Sequence, residues 1–429
     1  MRHLRGVTLP TPLIALLLCL ALHACAKTSH FTDATPDSAW DASTPPDLPP
    51  PSDAFFNPCD GSVPTLTGKV FAPNGKDPVA GALVAIPVTL TPLPDTVQCS
   101  TCNIPGDYHA RTYTDATGAF TLEGLPQRSP LQLEIRKGMF RRVVEVDFPG
   151  CAGPVSLPAD KTTLPGKNKH YGDLDRIPRI AVITGAWDRL EKVLDKLGVE
   201  EKVFFNGTDL LGGSESMQAL LQNGALLAQH HIVFINCGTR FEALVTQPGP
   251  ARNVLREYVK AGGRLFATDY SYDFIEQVFP EFIDFQASTQ NEWTLPEEPN
   301  AAEVGTANLD FEADVMDESL AQWLKLPEIG ALLPNGKLHV RGFKDFWAMQ
   351  SSVSERGKVW VSGRVSGIGV SGETRPLTSS YSFIDDDGQG CGRVFFSSYH
   401  THGEQTVLLP QERVLEYLML EIGTCPLVK

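Results

Sequence analysis

Hydrophobic and polar positions follow distinct regimes along the chain. From Val63 to about Leu164, short apolar runs alternate with turns: "TLTGKVFAP", "GALVAIPVTL", "ARTYTD", "GAFTLEGL", "LQLEIRK" and "FRRVVEVDF". Each run carries β-branched or aromatic residues, and "NGKD", "DATG" and "PQRSP" separate them. No helical period interrupts the series, so residues 63–164 are expected to form an all-β sandwich. In the DATG turn, Asp115 can cap its own backbone, Gly118 can supply a positive φ, and Phe120 returns to the core.

Residues 165–176 read as a polar linker. From residue 177 the period changes. "RIAVIT" is a short apolar strand, and "AWDRLEKVLDKLGV" is an amphipathic helix with Leu190, Val193, Leu194 and Leu197 on one stripe. "KVFFNG" reads as a strand, "SMQALLQNGALLAQ" as a helix and "HIVFINCG" as a buried strand. "PARNVLREYVKAGG" is a helix that Gly262 and Gly263 close, and "RLFATDYS" is the next strand with its exit loop. Strands alternating with helices predict a parallel sheet covered on both faces. Between about 287 and 379 the runs look like strands of an inserted or extended sheet, with one helix around Leu320, Trp323 and Leu324. "DDDGQG" lacks the alternating ligands and terminal Glu of a calcium loop and reads as a hairpin turn. "ERVLEYLMLEIG" closes the pattern as an amphipathic helix over the sheet.

The N-terminus alters this picture. Arg2 and Arg5 precede the apolar run "LIALLLCLAL", Leu13 to Leu22, which is too short for a spanning helix but fits a secretory signal. "LHAC", Leu22 to Cys25, resembles the lipobox of bacterial lipoproteins, although His23 is atypical there. That resemblance implies a signal over 1–25, lipidation of Cys25, and a protein held on a membrane by its lipid. No Asp follows Cys25, since Ala26 and Lys27 come next, and this points to outer-membrane sorting. Residues 26–62, rich in Pro, Asp and Ser, cannot bury enough apolar area to fold and read as a tether. The 429-residue chain carries a formal charge of −15 without a basic block, which argues against nucleic acid as a partner.

Nine cysteines suit an exported, oxidising setting. "CSTC", Cys99 to Cys102, lies in loop sequence with no second ligand pair, so structural disulfides are favoured over redox or zinc chemistry. The expected grouping keeps Cys59, Cys99, Cys102 and Cys151 among themselves and sets Cys391 against Cys425. Cys237, closing an apolar strand, is expected to be a buried free thiol.

Two resemblances refine the fold. "GKVFAPNGKDPVAGALVAI" with "TYTDATGAFTLEGL" is similar to carboxypeptidase regulatory-like domains. These are prealbumin-like sandwiches of about seven strands without catalytic residues, and the "TDxxGxF" segment is here Thr114, Asp115, Gly118 and Phe120. The order of "AVIT", helix, "IVFINCG" and "YVKAGGRLFATD" resembles class I glutamine amidotransferase-like proteins, including the ThuA-like group, whose architecture is flavodoxin-like. The expected fold is therefore multidomain: an all-β prealbumin-like sandwich, then an α/β flavodoxin-like domain over 177–429 with a β-rich insertion.

Active members of that superfamily carry a Cys nucleophile on a strained strand-to-helix turn, and a His-x-Glu after a late strand. Here His400 follows "GRVFFSSY", and His402-Gly403-Glu404 has the His-x-Glu spacing. At the elbow stand Thr268 and Asp269, followed by bulky Tyr270 and by Ser271, so both the thiol and the tight turn are expected to be lost. A carboxylate is a poor nucleophile for acyl transfer, and Thr268 would need an activating base. The candidate site is Asp269, His400, His402 and Glu404, and the reading leans against an enzyme. It favours a lipid-anchored binding or scaffold module, facing an envelope protein or glycan. The alternative is a hydrolase or carbohydrate-active enzyme using Asp269, His400 and Glu404. No cofactor is expected. The alternative is a divalent metal on His400, His402 and Glu404, which would share one face of a strand, with Asp269 as a fourth ligand.

Overall fold

In the computed structural model the described residues are 63–99, 107–168, 174–209, 215–239, 241–287, 299–305, 309–343, 347–384, 390–401 and 406–422. The leader with Cys25, the tether with Cys59, most of the "DDDGQG" turn, and Cys102, His402, Glu404 and Cys425 lie outside them. Among the described residues no helix is long and apolar enough to cross a membrane.

Seven strands come first: β1 (Leu66–Lys69), β2 (Leu83–Pro87), β3 (Tyr108–Tyr113), β4 (Ala119–Leu122), β5 (Leu131–Lys137), β6 (Phe140–Val146) and β7 (Val155–Ser156). They form a three-stranded sheet, β4-β1-β7, and a four-stranded sheet, β3-β2-β5-β6. Alternate residues such as Leu131, Leu133 and Ile135 fill the core with Phe120 and Leu122. The turn before β4 forms as its residues dictate. Asp115 Oδ1 accepts from Thr117 N at 2.8 Å and from Ala119 N at 3.0 Å, and Gly118 takes φ +77°.

Eleven strands follow: β8 (Ile180–Ile183), β9 (Val203–Phe205), β10 (Ile232–Ile235), β11 (Arg264–Thr268), β12 (Ile283–Phe285), β13 (Leu309–Val315), β14 (Leu338–Phe343), β15 (Gln350–Val353), β16 (Gly357–Gly367), β17 (Val370–Ile384) and β18 (Gly390–Ser397). Nine of them make one mixed sheet in the order β14-β13-β16-β17-β18-β11-β10-β8-β9, while β12 pairs with β15 apart from it. The run β18-β11-β10-β8-β9 is parallel. From β18 through β17, β16 and β13 to β14 the pairing is antiparallel. Most of segment 287–379 thus widens the sheet edge on.

Strand residues alternate between two cores, as the pleat requires. Val182, Phe234, Phe266 and Phe395 face one side, against helices Leu190–Lys196, Glu318–Lys325 and Pro410–Ile422. Ile183, Ile235, Ala267 and Phe396 face the other, against Met217–Leu221, Ala251–Lys260 and Asp273–Glu276. The helix expected over "SMQALLQNGALLAQ" is two short ones, because Asn223 starts a new helix at Gly224–Leu227 with its side chain accepting from Leu226 N at 3.1 Å.

The first core is continuous with that of the sandwich. Trp323 Nε1 donates to Pro78 O at 2.8 Å, and Arg413 ties Asp77 to Glu416 at 2.7 Å each. Arg176 of the connecting segment exchanges backbone hydrogen bonds with Arg141 of β6 at 2.8 Å. The segment after β2 runs as a strap over the sheet's amino-terminal edge. There Pro94 O meets His231 Nε2 at 3.2 Å and Val97 N donates to Ala228 O at 2.8 Å. The strap ends in a disulfide between Cys99 and Cys391, at the start of β18, with Cα atoms 4.7 Å apart and a sequence separation of 292. This corrects the expected pairing. Neither Cys99 with its neighbours nor Cys391 with Cys425 is joined, because the strap carries Cys99 to the sheet. Cys151 is also disulfide-bonded.

Candidate functional site at the carboxyl ends of the parallel strands

The parallel register puts the exits of β10, β11 and β18 side by side, with Ile235 opposite Ala267 and Thr268 opposite Ser397. Loops leaving this edge gather their first polar residues in one place, as open α/β sheets commonly do. Cys237 comes two residues beyond β10, Asp269 immediately beyond β11, and His400 three beyond β18.

Asp269 holds φ +43°, a left-handed conformation that costs a non-glycine residue of order 1–3 kcal/mol. A short 3₁₀ turn (Asp269–Ser271) and the helix Asp273–Glu276 follow directly. The tight strand-to-helix turn is therefore present, against the expectation from Tyr270 and Ser271. Ser271 fits because its hydroxyl donates inward to Asn236 O at 2.8 Å, while Tyr270 is only partly buried.

Asp269 is fully buried. Its Oδ2 lies 2.6 Å from His400 Nε2, and its Oδ1 accepts from Ala348 N at 2.8 Å. Burial pushes the carboxyl upward, and the His400 contact opposes that shift. Cys237 Sγ stands 3.6 Å from Asp269 Oδ2 and is a buried free cysteine, as expected. Burial raises its thiol well above the usual range, the charges of Asp269 and Asp188 add to that, and the Tyr270 backbone amide opposes it. Ligand atoms of Cys237, Asp269 and His400 all lie within 4.8 Å of one another, which makes these three the metal-capable group among the described residues.

The sequence reading brought Asp269 and His400 forward, and the structure joins them. It missed the approach of Cys237, which stood one strand away on paper. It also missed Asp188, fully buried in the loop after β8. Asp188 Oδ1 accepts from the backbone amides of Arg189 and Thr401 at 2.8 Å each and from the Thr401 hydroxyl. Its Oδ2 accepts from Thr268 Oγ1 at 2.5 Å, and Thr268 Oγ1 accepts from Cys237 N at 3.0 Å. One carboxylate thus ties together the exits of β8, β10, β11 and β18. In sequence, Asp188 falls inside the run "AWDRLEKVLDKLGV" read as an amphipathic helix, which concealed this role. Beneath it, Thr268, Thr378, Ser397 and Thr401 line part of a cavity of about 10 Å³, room for one water.

The alternation argument for His400 and its followers does not carry over, because β18 ends at Ser397 and His400 sits in irregular backbone. His402 and Glu404 lie outside the described residues.

No protein-family model matches the chain, and no curated protein matches it. Among solved structures, the chain is similar to a cytoplasmic protein, STM3548, from Salmonella typhimurium, with 11% identity over 58% of this chain and 99% of that one, at a TM-score of 0.33. It is also similar to Gan42B, a GH42 β-galactosidase from G. stearothermophilus, with 10% identity over 59% of this chain, at a TM-score of 0.28. The match spans 31% of Gan42B. Likeness this weak carries no functional argument.

Proposed function

We propose that this is a lipid-anchored cell-envelope protein, and that its α/β part is a degenerate class I glutamine amidotransferase-like domain working in binding or scaffolding. One observation carries the non-catalytic reading. The nucleophile position holds Asp269, fully buried, with one oxygen on His400 and the other on the Ala348 amide. A carboxylate so engaged holds three loops together and is poorly placed to attack an amide.

The strand order supports the domain assignment. Numbered along the chain, the parallel strands lie 2-1-3-4-5, the order of flavodoxin-like sheets. Seven strands in sheets of three and four support the prealbumin-like assignment of the first domain. The Cys99–Cys391 bond suits an oxidising compartment, and the lipobox-like Cys25 suits an anchor facing the periplasm or the cell surface. An envelope protein or a glycan is the proposed partner.

A hydrolase remains the second reading, because the strained φ of Asp269 is what an exposed nucleophile would need. Wild type, Asp269→Asn and His400→Ala assayed against amides, esters and glycosides separate the two. Equal background turnover in all three supports the scaffold. Turnover lost in both folded variants would sink it. For the anchor, Cys25→Ala releases the protein from membranes, and unchanged retention refutes lipidation there.

A further inference from the structure

We infer that Cys237, Asp269 and His400 form a binding site for a divalent ion of borderline softness, zinc in the first instance. The argument starts from ligand chemistry. One sulfur, one imidazole nitrogen and one carboxylate oxygen are the donor types zinc prefers, and three protein ligands leave one tetrahedral position for water or an incoming ligand.

Geometry is the second part. A tetrahedral zinc with ordinary bond lengths spaces sulfur and oxygen by about 3.5 Å, and nitrogen and oxygen by about 3.3 Å. The observed separations are 3.6 Å from Cys237 Sγ to Asp269 Oδ2 and 2.6 Å from His400 Nε2 to Asp269 Oδ2. The sulfur–oxygen separation already matches, and the sulfur and nitrogen lie within 4.8 Å of each other. The nitrogen–oxygen pair sits at hydrogen-bond distance and must open by about 0.7 Å once the proton between them is gone.

Support around the ligands is the third part. Cys237 and Asp269 are fixed by neighbouring parallel strands, and His400 follows the third. The second oxygen of Asp269 is oriented by the Ala348 amide, and the Tyr270 amide faces the sulfur. Metal-ligand side chains typically depend on such outer partners for their orientation.

Charge is the fourth part. A buried carboxylate beside a neutral thiol is costly unless the histidine is protonated. Thiolate, carboxylate and a dication sum to zero in the same volume. Binding releases the thiol proton and the imidazolium Nε2 proton to solvent, so the ring ligates neutral through Nε2 and keeps its proton on Nδ1. Affinity therefore rises with pH. This site differs from the one anticipated on His400, His402 and Glu404, and it holds whether or not the domain has any catalytic activity.

The test uses the full chain, purified with its disulfides intact and stripped of metal. Zinc is titrated in competition with a chromophoric chelator, and cobalt(II) is added in a parallel sample. The expected result is one equivalent of zinc, a raised melting temperature, and a thiolate-to-cobalt charge-transfer band in the near ultraviolet. Cys237→Ser loses that band and binds zinc at least ~10-fold more weakly, on the scale that even outer-partner changes produce. A wild-type cobalt adduct without the band overturns the inference, and this holds even if the variants fail to fold. Equal zinc affinity in wild type, Cys237→Ser and His400→Ala overturns it too, because the ion then binds elsewhere.

Discussion

The disulfide between Cys99 and Cys391 gives the sharpest quantitative expectation. It closes 292 residues of chain between the strap and β18. Chain-entropy reasoning for a loop of that length gives ~6 kcal/mol at 25 °C as a ceiling. The ceiling is not reached, because measured native disulfides generally contribute about 2–5 kcal/mol. The bond also joins parts of one continuous core, so the released strap keeps its contacts at Pro94 and Val97. Replacing both cysteines with alanine is expected to cost about 3–5 kcal/mol. For a unit of this size roughly 0.8 kcal/mol/K of unfolding entropy applies, so the melting temperature falls by about 4–6 °C. Differential scanning calorimetry reads the shift, and peptide mapping of a non-reduced digest reads the linkage. A midpoint moved by less than about 1 °C, or a map in which Cys99 is joined to a residue other than Cys391, refutes the reasoning.

Two buried ionisable groups give opposite pH dependences. Burial, with Glu276 and Glu242 nearby, pushes Asp273 up to about 7, partly opposed by the Asn300 backbone. Its folded value lies above the unfolded one of 3.8, so its stability is full below that value and is lost as pH rises through 7. Asp273→Asn should leave urea midpoints unchanged near pH 4 and raise them near pH 8; no difference between the two pH values counts against it. Burial brings His231 down to about 4, with Arg264 and Arg179 adding to the shift and the Pro94 carbonyl and Asp95 opposing it. Here stability is full above the unfolded value of 6.5 and is lost as pH falls through 4. His231 Nδ1 accepts from Arg179 N at 2.9 Å, so charging the ring breaks that bond. His231→Gln should flatten the loss of stability between about pH 6.5 and 4, and an unchanged slope over that window defeats the assignment.

Much of the architecture was legible because its signals are local. The DATG turn, the stripe Leu190, Val193, Leu194 and Leu197, and the closure of a helix at Gly262 each depend on a few neighbouring residues. All three form as read. What escaped depends on juxtaposition. Cys237 and Asp269 are 32 residues apart, and only the parallel register makes them neighbours. Asp188 meets Thr401 across 213 residues. Cys99 finds Cys391 only because the strap after β2 is long enough to cross the sheet edge. The elbow was misjudged for another reason. Side-chain bulk at Tyr270 argued against a tight turn, but the strain falls on Asp269, whose carboxylate is held by long-range contacts with Ala348 and His400.

The core shared by the sandwich and helix Pro410–Ile422 also bears on how the protein is made. A chain synthesised N-terminus first delivers the strands of the sandwich early and that helix almost last. Until it arrives, Asp77 on the flank of the sandwich lacks Arg413, and before that the same flank waits for Trp323 to reach Pro78 and Cys99 waits for Cys391. The first domain in sequence is thus completed by the last helix in sequence. Folding of the sandwich is thereby coupled to the far end of the chain, and a product truncated before Pro410 would leave part of the shared core uncovered.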